Sequence, residues 1–279
     1  MNNLVFSSAV LGGSIVAGFV GSLTGLGGGV VIVPLLTIAF GVNIRYAIGA
    51  SLVSVIATSS GAASAYVRDG FSNVRIGMML EIATAAGALG GAALAAHVPT
   101  SKLAMLLGVV LIGSVFAPSH KEQAAGAQAS GSKSLAARLG LEGVYPSPQG
   151  EIAYAPRRIP FGFGMMGVAG VLSGLLGIGS GAVKVLAMDL AMALPFKVST
   201  TTSNFMIGVT AAASAGIYLH RGYIDPALAM PVTLGVIAGS FTGAMLLKNA
   251  DVHRLRTFFR AVVFVLGIEM IWNGWKGAL

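Results

Sequence analysis

Hydrophobic residues run on without alternation along most of this chain. Ten apolar segments can be drawn, bounded by charges and by Gly or Pro. Five fall at residues 4–23, 29–42, 46–67, 76–96 and 102–117. A polar stretch, 118–159, follows, rich in Gly, Ser, Ala and Pro. Five more lie at 160–176, 182–194, 199–219, 226–247 and 258–275. Continuous runs predict helices, whereas a membrane barrel would alternate apolar and polar over about ten residues. Most runs approach the roughly 20 residues that a helix needs to cross about 30 Å of hydrocarbon. The second run of each set is shorter.

Composition decides the solvent. Of 279 residues, 55% are hydrophobic and 9% charged, against roughly 25% charged in a soluble domain. Seventeen Lys+Arg and nine Asp+Glu cannot cover the surface of a soluble protein of this size. A soluble enzyme, a disordered chain and a nucleic-acid-binding domain are thereby excluded. An all-α integral membrane protein is expected, with the lipid bilayer as partner. The 40 glycines suit close packing of membrane helices. The net charge of +8 fits cationic loops that set topology and meet anionic lipid. With no Cys, disulfides and thiolate metal sites are excluded. The N-terminal Met-Asn-Asn lacks the positive start of a signal peptide, so 4–23 reads as a retained membrane segment.

The two sets are a repeat. A shift of 152 lays AGFVGSLTGLGGGVVIVP (17–34) over AGVLSGLLGIGSGAVKVL (169–186) without a gap. The same shift sets Arg45 over Lys197, Ser51 over Ser203, Thr58 over Thr210, Tyr66 over Tyr218, Gly70 over Gly222 and Gly87 over Gly239. The expected organisation is a first transmembrane repeat at 1–117, a hydrophilic connector at 118–159 on the cytoplasmic side, and a second repeat at 160–279. The connector's 120–134 stretch reads as a flexible linker, and 150–160 as a small strand or hairpin. Five crossings per half place twelve cations on one side, with Arg45, Lys102, Arg221 and Lys276 on the other. Four per half give about nine against seven, which is no bias. The expectation is therefore two repeats in inverted topology, about five segments each and eight to ten crossings in all, with a Gly-broken first pair in each repeat.

Two Gly turns are the strongest local feature: Gly25-Leu-Gly27-Gly28-Gly29 and Gly177-Ile-Gly179-Ser180-Gly181. Each precedes an apolar segment of about 13 residues, or roughly 20 Å of helix. That is too short to span alone, so the turn is expected below the membrane surface, where irregular backbone needs protein or a water-filled cavity around it. Free N–H groups at a helix start, with the helix dipole, make an anion site without a full charge. Close helix packing is the alternative role for these glycines. Lys184 lies three residues after Gly181, and its repeat mate is Ile32. A cation at mid-membrane costs about 2.5–3.5 kcal/mol, so it is expected either to meet an anionic substrate, to pair with Asp189, or to snorkel to the interface. The run Ser199–Asn204 is six hydrogen-bonding side chains entering a helix. Thr202, Ser203 and Asn204, with Ser51 as the mate of Ser203, are candidates for oxyanion binding; capping and interhelical bonds compete.

Glu81 and Glu269 fall inside expected spans. Proton coupling would need such a carboxylate facing the cavity, but Glu81 is expected near the interface. His97, His120, His220 and His253 lie near loops. There is no H-E-x-x-H and no G-x-S-x-G, so no catalytic residue, metal site or cofactor is assigned.

The doubled Gly turn, followed by Val31-Ile-Val-Pro-Leu-Leu36 and by Ala182-Val-Lys-Val-Leu186, resembles the TauE/SafE family, the toluene-sulfonate uptake permeases. The Arg45–Ser51 and Lys197…Phe205 stretches also fit it. The resemblance implies a bacterial or archaeal inner-membrane carrier for sulfite, sulfonates or related anions. The family is usually described with seven or eight crossings. Ser180 replaces the middle Gly of the second turn, and Leu186 stands where the first repeat has Pro34.

The expected function is secondary transport of a small anion, most fitting a sulfur oxyanion, by rocking of two repeats. The two Gly turns would meet near the midplane. An anion channel, or a non-transporting scaffold, is the alternative. A coupling proton or cation, and a homodimer, stay open as further partners.

Overall fold

The structure is a computed structural model that describes residues 3–22, 29–68, 72–116, 135–147, 150–179, 181–247 and 252–277. It is mostly helical. The first half holds α1 (Asn3–Ser22), α2 (Gly29–Pro34) running into a π turn (Leu35–Ala39), α3 (Ile44–Arg68), α4 (Val74–Ala95) and α5 (Thr100–Val115). The connector holds α6 (Leu135–Arg138) and the strands β1 (Gly143–Ser147) and β2 (Gly150–Tyr154). The second half holds α7 (Ile159–Leu176), α8 (Gly181–Leu186) with its π turn (Ala187–Ala191), α9 (Phe196–His220), α10 (Pro226–Leu247) and α11 (Val252–Lys276).

The shift of 152 that aligned the sequences also aligns the elements. Both short helices, both π turns, α3 with α9, and α4 with α10 begin and end at shifted positions. Pro34 closes α2, yet Leu186 at the same place in α8 is followed by the same π turn. The missing proline donor therefore does not cause the widened turn. The last helix begins at 252, six residues before the 258 expected from hydropathy. Its charged first turns hid the start.

Packing exchanges the halves. α1 lies along α10, and its mate α7 lies along α4; α3 packs on α9, and α5 on α11. Glycine sets the spacing at these contacts. A Cβ added to Gly87 on α4 would collide with the Gly167 carbonyl on α7. One added to Gly239 on α10 would collide with the Ile15 carbonyl on α1. These two contacts are repeat mates, since Ile15 shifts onto Gly167. Backbones that approach this closely gain dispersion contact along their length.

Among the described residues, two helices are long and apolar enough throughout to cross a membrane, Val74–Ala95 and Ile159–Leu176. Shorter apolar stretches run at Leu4–Val20, Gly29–Ala39, Ile44–Ser60, Thr100–Val115 and Pro226–Thr242.

The connector carries the small hairpin expected within it, but the hairpin begins at 143 and not at 150. β1 and β2 form an antiparallel hairpin in which Gly143 pairs with Tyr154 and Tyr145 with Ile152. Tyr145 and Tyr154 are buried in an apolar cluster with Ile76, Leu80, Met188 and Val198. The hairpin is thus fastened to the start of α4. The linker at 120–134 lies outside the described residues.

Candidate functional site

The second Gly turn ends α7. Gly177 adopts a left-handed conformation (φ 66°), and its N–H bonds back to the Ser173 carbonyl at 2.8 Å. That is the usual way glycine closes a helix. The orphan carbonyls of the last turn of α7 need partners. The Tyr218 hydroxyl donates to the Gly174 carbonyl at 3.1 Å. The Ser51 hydroxyl, from α3, donates to the Gly177 carbonyl at 2.8 Å and lies 3.5 Å from the Gly29 carbonyl.

Ser51 therefore bridges residues of the two Gly turns. Gly29 opens α2 directly beside Gly177: a Cβ on Gly29 would sit 3.3 Å from the Gly177 carbonyl and 2.8 Å from Ser51 Oγ. Gly179 (φ 73°) packs against Ile207 and Val55. In the second half Ser203 repeats the bond of its mate, donating to the Gly181 carbonyl at 3.2 Å. Gly25, Gly27, Gly28 and Ser180 lie outside the described residues. Ser51 and Ser203 are wholly buried and give their protons to turn carbonyls. Their hydroxyls thus fix the turns.

Lys184 is one turn into α8 and fully buried. Its partner is not Asp189. Nζ donates to Thr210 Oγ1 at 2.5 Å and lies 4.0 Å from Glu81 Oε2. Thr210 Oγ1 in turn donates to Glu81 Oε1 at 2.6 Å. Glu81 was expected near the interface. It is instead 7% exposed and faces Lys184 across α9. The cost of an unpaired charge in an apolar interior, several kcal/mol or about that order, explains why acid and base are found together.

Thr202 and Asn204 lie elsewhere. Thr202 Oγ1 accepts the Asn73 N–H at 3.0 Å. Asn73 also caps α4, accepting from the Ile76 N–H at 3.0 Å, and donates through Nδ2 to the Tyr154 hydroxyl at 2.9 Å. Thr202 is thus tied to the connector hairpin, eight residues or roughly 12 Å of helix from Thr210. Burial pushes the Tyr154 phenol above its usual pKa, and the bond from Asn73 opposes this. Asn204 is half-buried, and among the described residues none of the turn's bonds includes it.

At the other end of α4, Arg221 donates to the Ala92 and Ala93 carbonyls at 3.1 Å. Arg45 donates to the Ala96 and Val98 carbonyls at 3.2 and 3.1 Å. Cations suit a helix C-terminus. With Tyr218 and Tyr223 they line a narrow cleft that has no room for a water molecule in this conformation. Tyr218 leads from this cleft to the end of α7. Contacts between α4 and α9 fall at Asn73–Thr202, Glu81–Thr210 and Ala92–Arg221, always 129 residues apart. The two helices therefore run parallel and in register.

Reading the sequence missed Thr210, Tyr218 and the facing of Glu81. One signal was present: Glu81 and Lys184 were an acid and a base in expected spans, and Asp189 was the carboxylate considered for Lys184. The pairing spans 103 positions of sequence, so no local spacing could show it.

Comparison with known proteins bears on all of this. The family model "Sulfite exporter TauE/SafE" matches residues 10–270. A probable membrane transporter protein, YunE of Bacillus subtilis, is 27% identical over 93% of this chain and 95% of its own. YdhB of the same organism, also a probable membrane transporter protein, is 26% identical over 82% and 84%. A probable membrane transporter protein of Xylella fastidiosa is 24% identical over 95% of both. No solved structure matches. A match across nearly the whole chain places it: this protein belongs to the sulfite exporter TauE/SafE family.

Proposed function

We propose that this chain is a multi-pass transporter of a bacterial or archaeal inner membrane that carries a small anion. A sulfur oxyanion, sulfite or a sulfonate, is the substrate class that the family description favours. The relatives' names support transport across a membrane.

The observation that carries the site is the meeting of the two Gly turns. Gly29 and Gly177 lie against each other, bridged by Ser51, and Lys184 is one turn into α8, the helix that follows the second turn. The first N–H groups of a helix have no partner within it and favour negative charge. In this conformation Ser51, Lys184 and Thr202 are all buried, as an occluded carrier requires. The Arg45–Arg221 cleft is the proposed access on one side, and the connector hairpin covers the other.

Inverted repeats fit the same geometry. The first turn of α3 (Arg45) and the last of its mate α9 (Arg221) bind the same end of α4. Equivalent helices thus begin and end at the same face, which supports an odd number of crossings per half. Rocking of the halves would then open the site to alternate sides.

Purified protein in liposomes tests the reading. Labelled sulfite or a sulfonate should enter with saturable kinetics and compete with each other. No flux of either would overturn the proposal, and a large non-saturating conductance would favour a channel.

A further inference from the structure

We infer that Glu81 is the proton carrier of this protein, moving one proton with each singly charged anion. This rests on the anion-transport reading above and names its coupling ion.

The argument begins from charge. Glu81 and Lys184 together carry no net charge when both are ionised. An anion arriving beside Lys184 would leave the buried site with one uncompensated negative charge. That is the state a low-dielectric interior disfavours most. A proton taken up by Glu81 restores neutrality, and Lys184 then has the anion as its counterion in place of the carboxylate.

The hydrogen bonds are arranged for this exchange. Glu81 Oε1 accepts from Thr210, but Oε2 is buried, 4.0 Å from Lys184 Nζ, and has no hydrogen-bond partner. A buried, ionised carboxylate oxygen without a donor is uncommon. It is the atom to which a proton would add. The Thr210 hydroxyl has a second acceptor ready, the Met206 carbonyl at 2.9 Å. It can donate to the carboxylate when Glu81 is ionised and to Met206 when Glu81 is protonated. Lys184 can keep its bond to Thr210 Oγ1 in both states.

Few other charges sit on the elements around the pair. Among the described residues, α7, which packs along α4, has no charged side chain. α9 carries Lys197 in its first turn and His220 in its last. On α4 itself Arg75 is in the first turn, six residues before Glu81. Asp189, on the π turn, follows Lys184 by five residues and has contacts of its own. Lys184 is the charge that faces Glu81.

The step balances simply. From one side a proton adds to Glu81 Oε2 and one anion binds at Lys184. On the other side the anion leaves, the O–H bond breaks, the proton departs, and the ion pair re-forms. Net charge moved is zero for a monoanion.

A simple alkanesulfonate, singly charged at every working pH, is the probe. The full chain in liposomes containing a pH dye should import one proton per labelled sulfonate. Accumulation should rise about tenfold per unit of imposed pH gradient, and a clamped membrane potential should leave it unchanged. Glu81→Gln, with a neutral side chain fixed opposite Lys184, should move sulfonate without protons and become sensitive to the potential. Sulfonate entry without protons in the unmodified protein would overturn the inference and leave the transport reading standing. Proton-coupled flux in Glu81→Gln would also overturn it. Absence of any sulfonate or sulfite flux would remove the transport reading and this inference with it. The stoichiometry of the unmodified protein decides the matter even if the variant does not fold.

Discussion

Lys184, Thr210 and Glu81 in one place correspond, under the shift of 152, to Ile32, Thr58 and Thr233 in another. The backbones match element for element. The chemistry does not. Ile32 is fully buried in the apolar core. Thr58 bonds back to its own helix at Ser54, 3.0 Å away. Thr233 Oγ1 is buried without a hydrogen-bond partner. Ser51 and Ser203, which tie the turns, do the same work in both halves. Symmetry therefore supplies the scaffold of two turns and paired helices. The ion pair joins the two halves at one of two symmetry-related places, and the other place keeps the same backbone without it.

Three substitution sets bear on that contrast. The largest effect should come from breaking the pair. Glu81→Ala or Lys184→Ala leaves one buried charge and should cost about 3–5 kcal/mol. The joint Glu81→Leu/Lys184→Met change should recover most of it, as measured by thermal unfolding in detergent. If the double variant is no better than the singles, the pair is not the reason for their burial.

Next, the apolar place can be given the charge. Ile32→Lys alone should cost about 2.5–3.5 kcal/mol. Adding Thr233→Glu should restore part of that, if the shift of 152 sets the mate positions opposite each other as it does the backbone elements. No restoration would show that the halves differ in geometry as well as in chemistry.

The smallest effect concerns the helix caps. Asn73 caps α4, and its mate Asp225 caps α10, accepting from the Ala227 N–H at 2.9 Å. Each change to Ala should cost about 1 kcal/mol. Asn73→Ala should cost more, since the Asn73 side chain also donates to the Tyr154 hydroxyl. Equal losses would mean that the hairpin bond adds nothing.

Much of this fold was legible in the sequence. Apolar runs, glycine and charge placed nearly every helix within a few residues, because each signal is local or repeats at one fixed shift. The exception, the start of α11, lay under His253, Arg254 and Arg256, which hydropathy scores as a loop. The site was legible in part. Gly177 and Gly29 were picked out by the shortness of the segments after them, and Ser51 by its symmetry with Ser203. Glu81 was misplaced, because depth within a span was judged from its distance to the segment end. Which way a side chain faces depends on partners far along the chain. Thr202 was grouped with Ser203 by adjacency, yet neighbours on a helix point about 100° apart. One serves the turn and the other the hairpin.

The central claim is that the anion sits where the two Gly turns meet, beside Lys184. A structure determined with selenite, a sulfite analogue whose selenium scatters anomalously, tests it most directly. The selenium peak is expected between the starts of α2 and α8, within contact of Lys184. A peak confined to the Arg45–Arg221 cleft, with none at the turns, would contradict it.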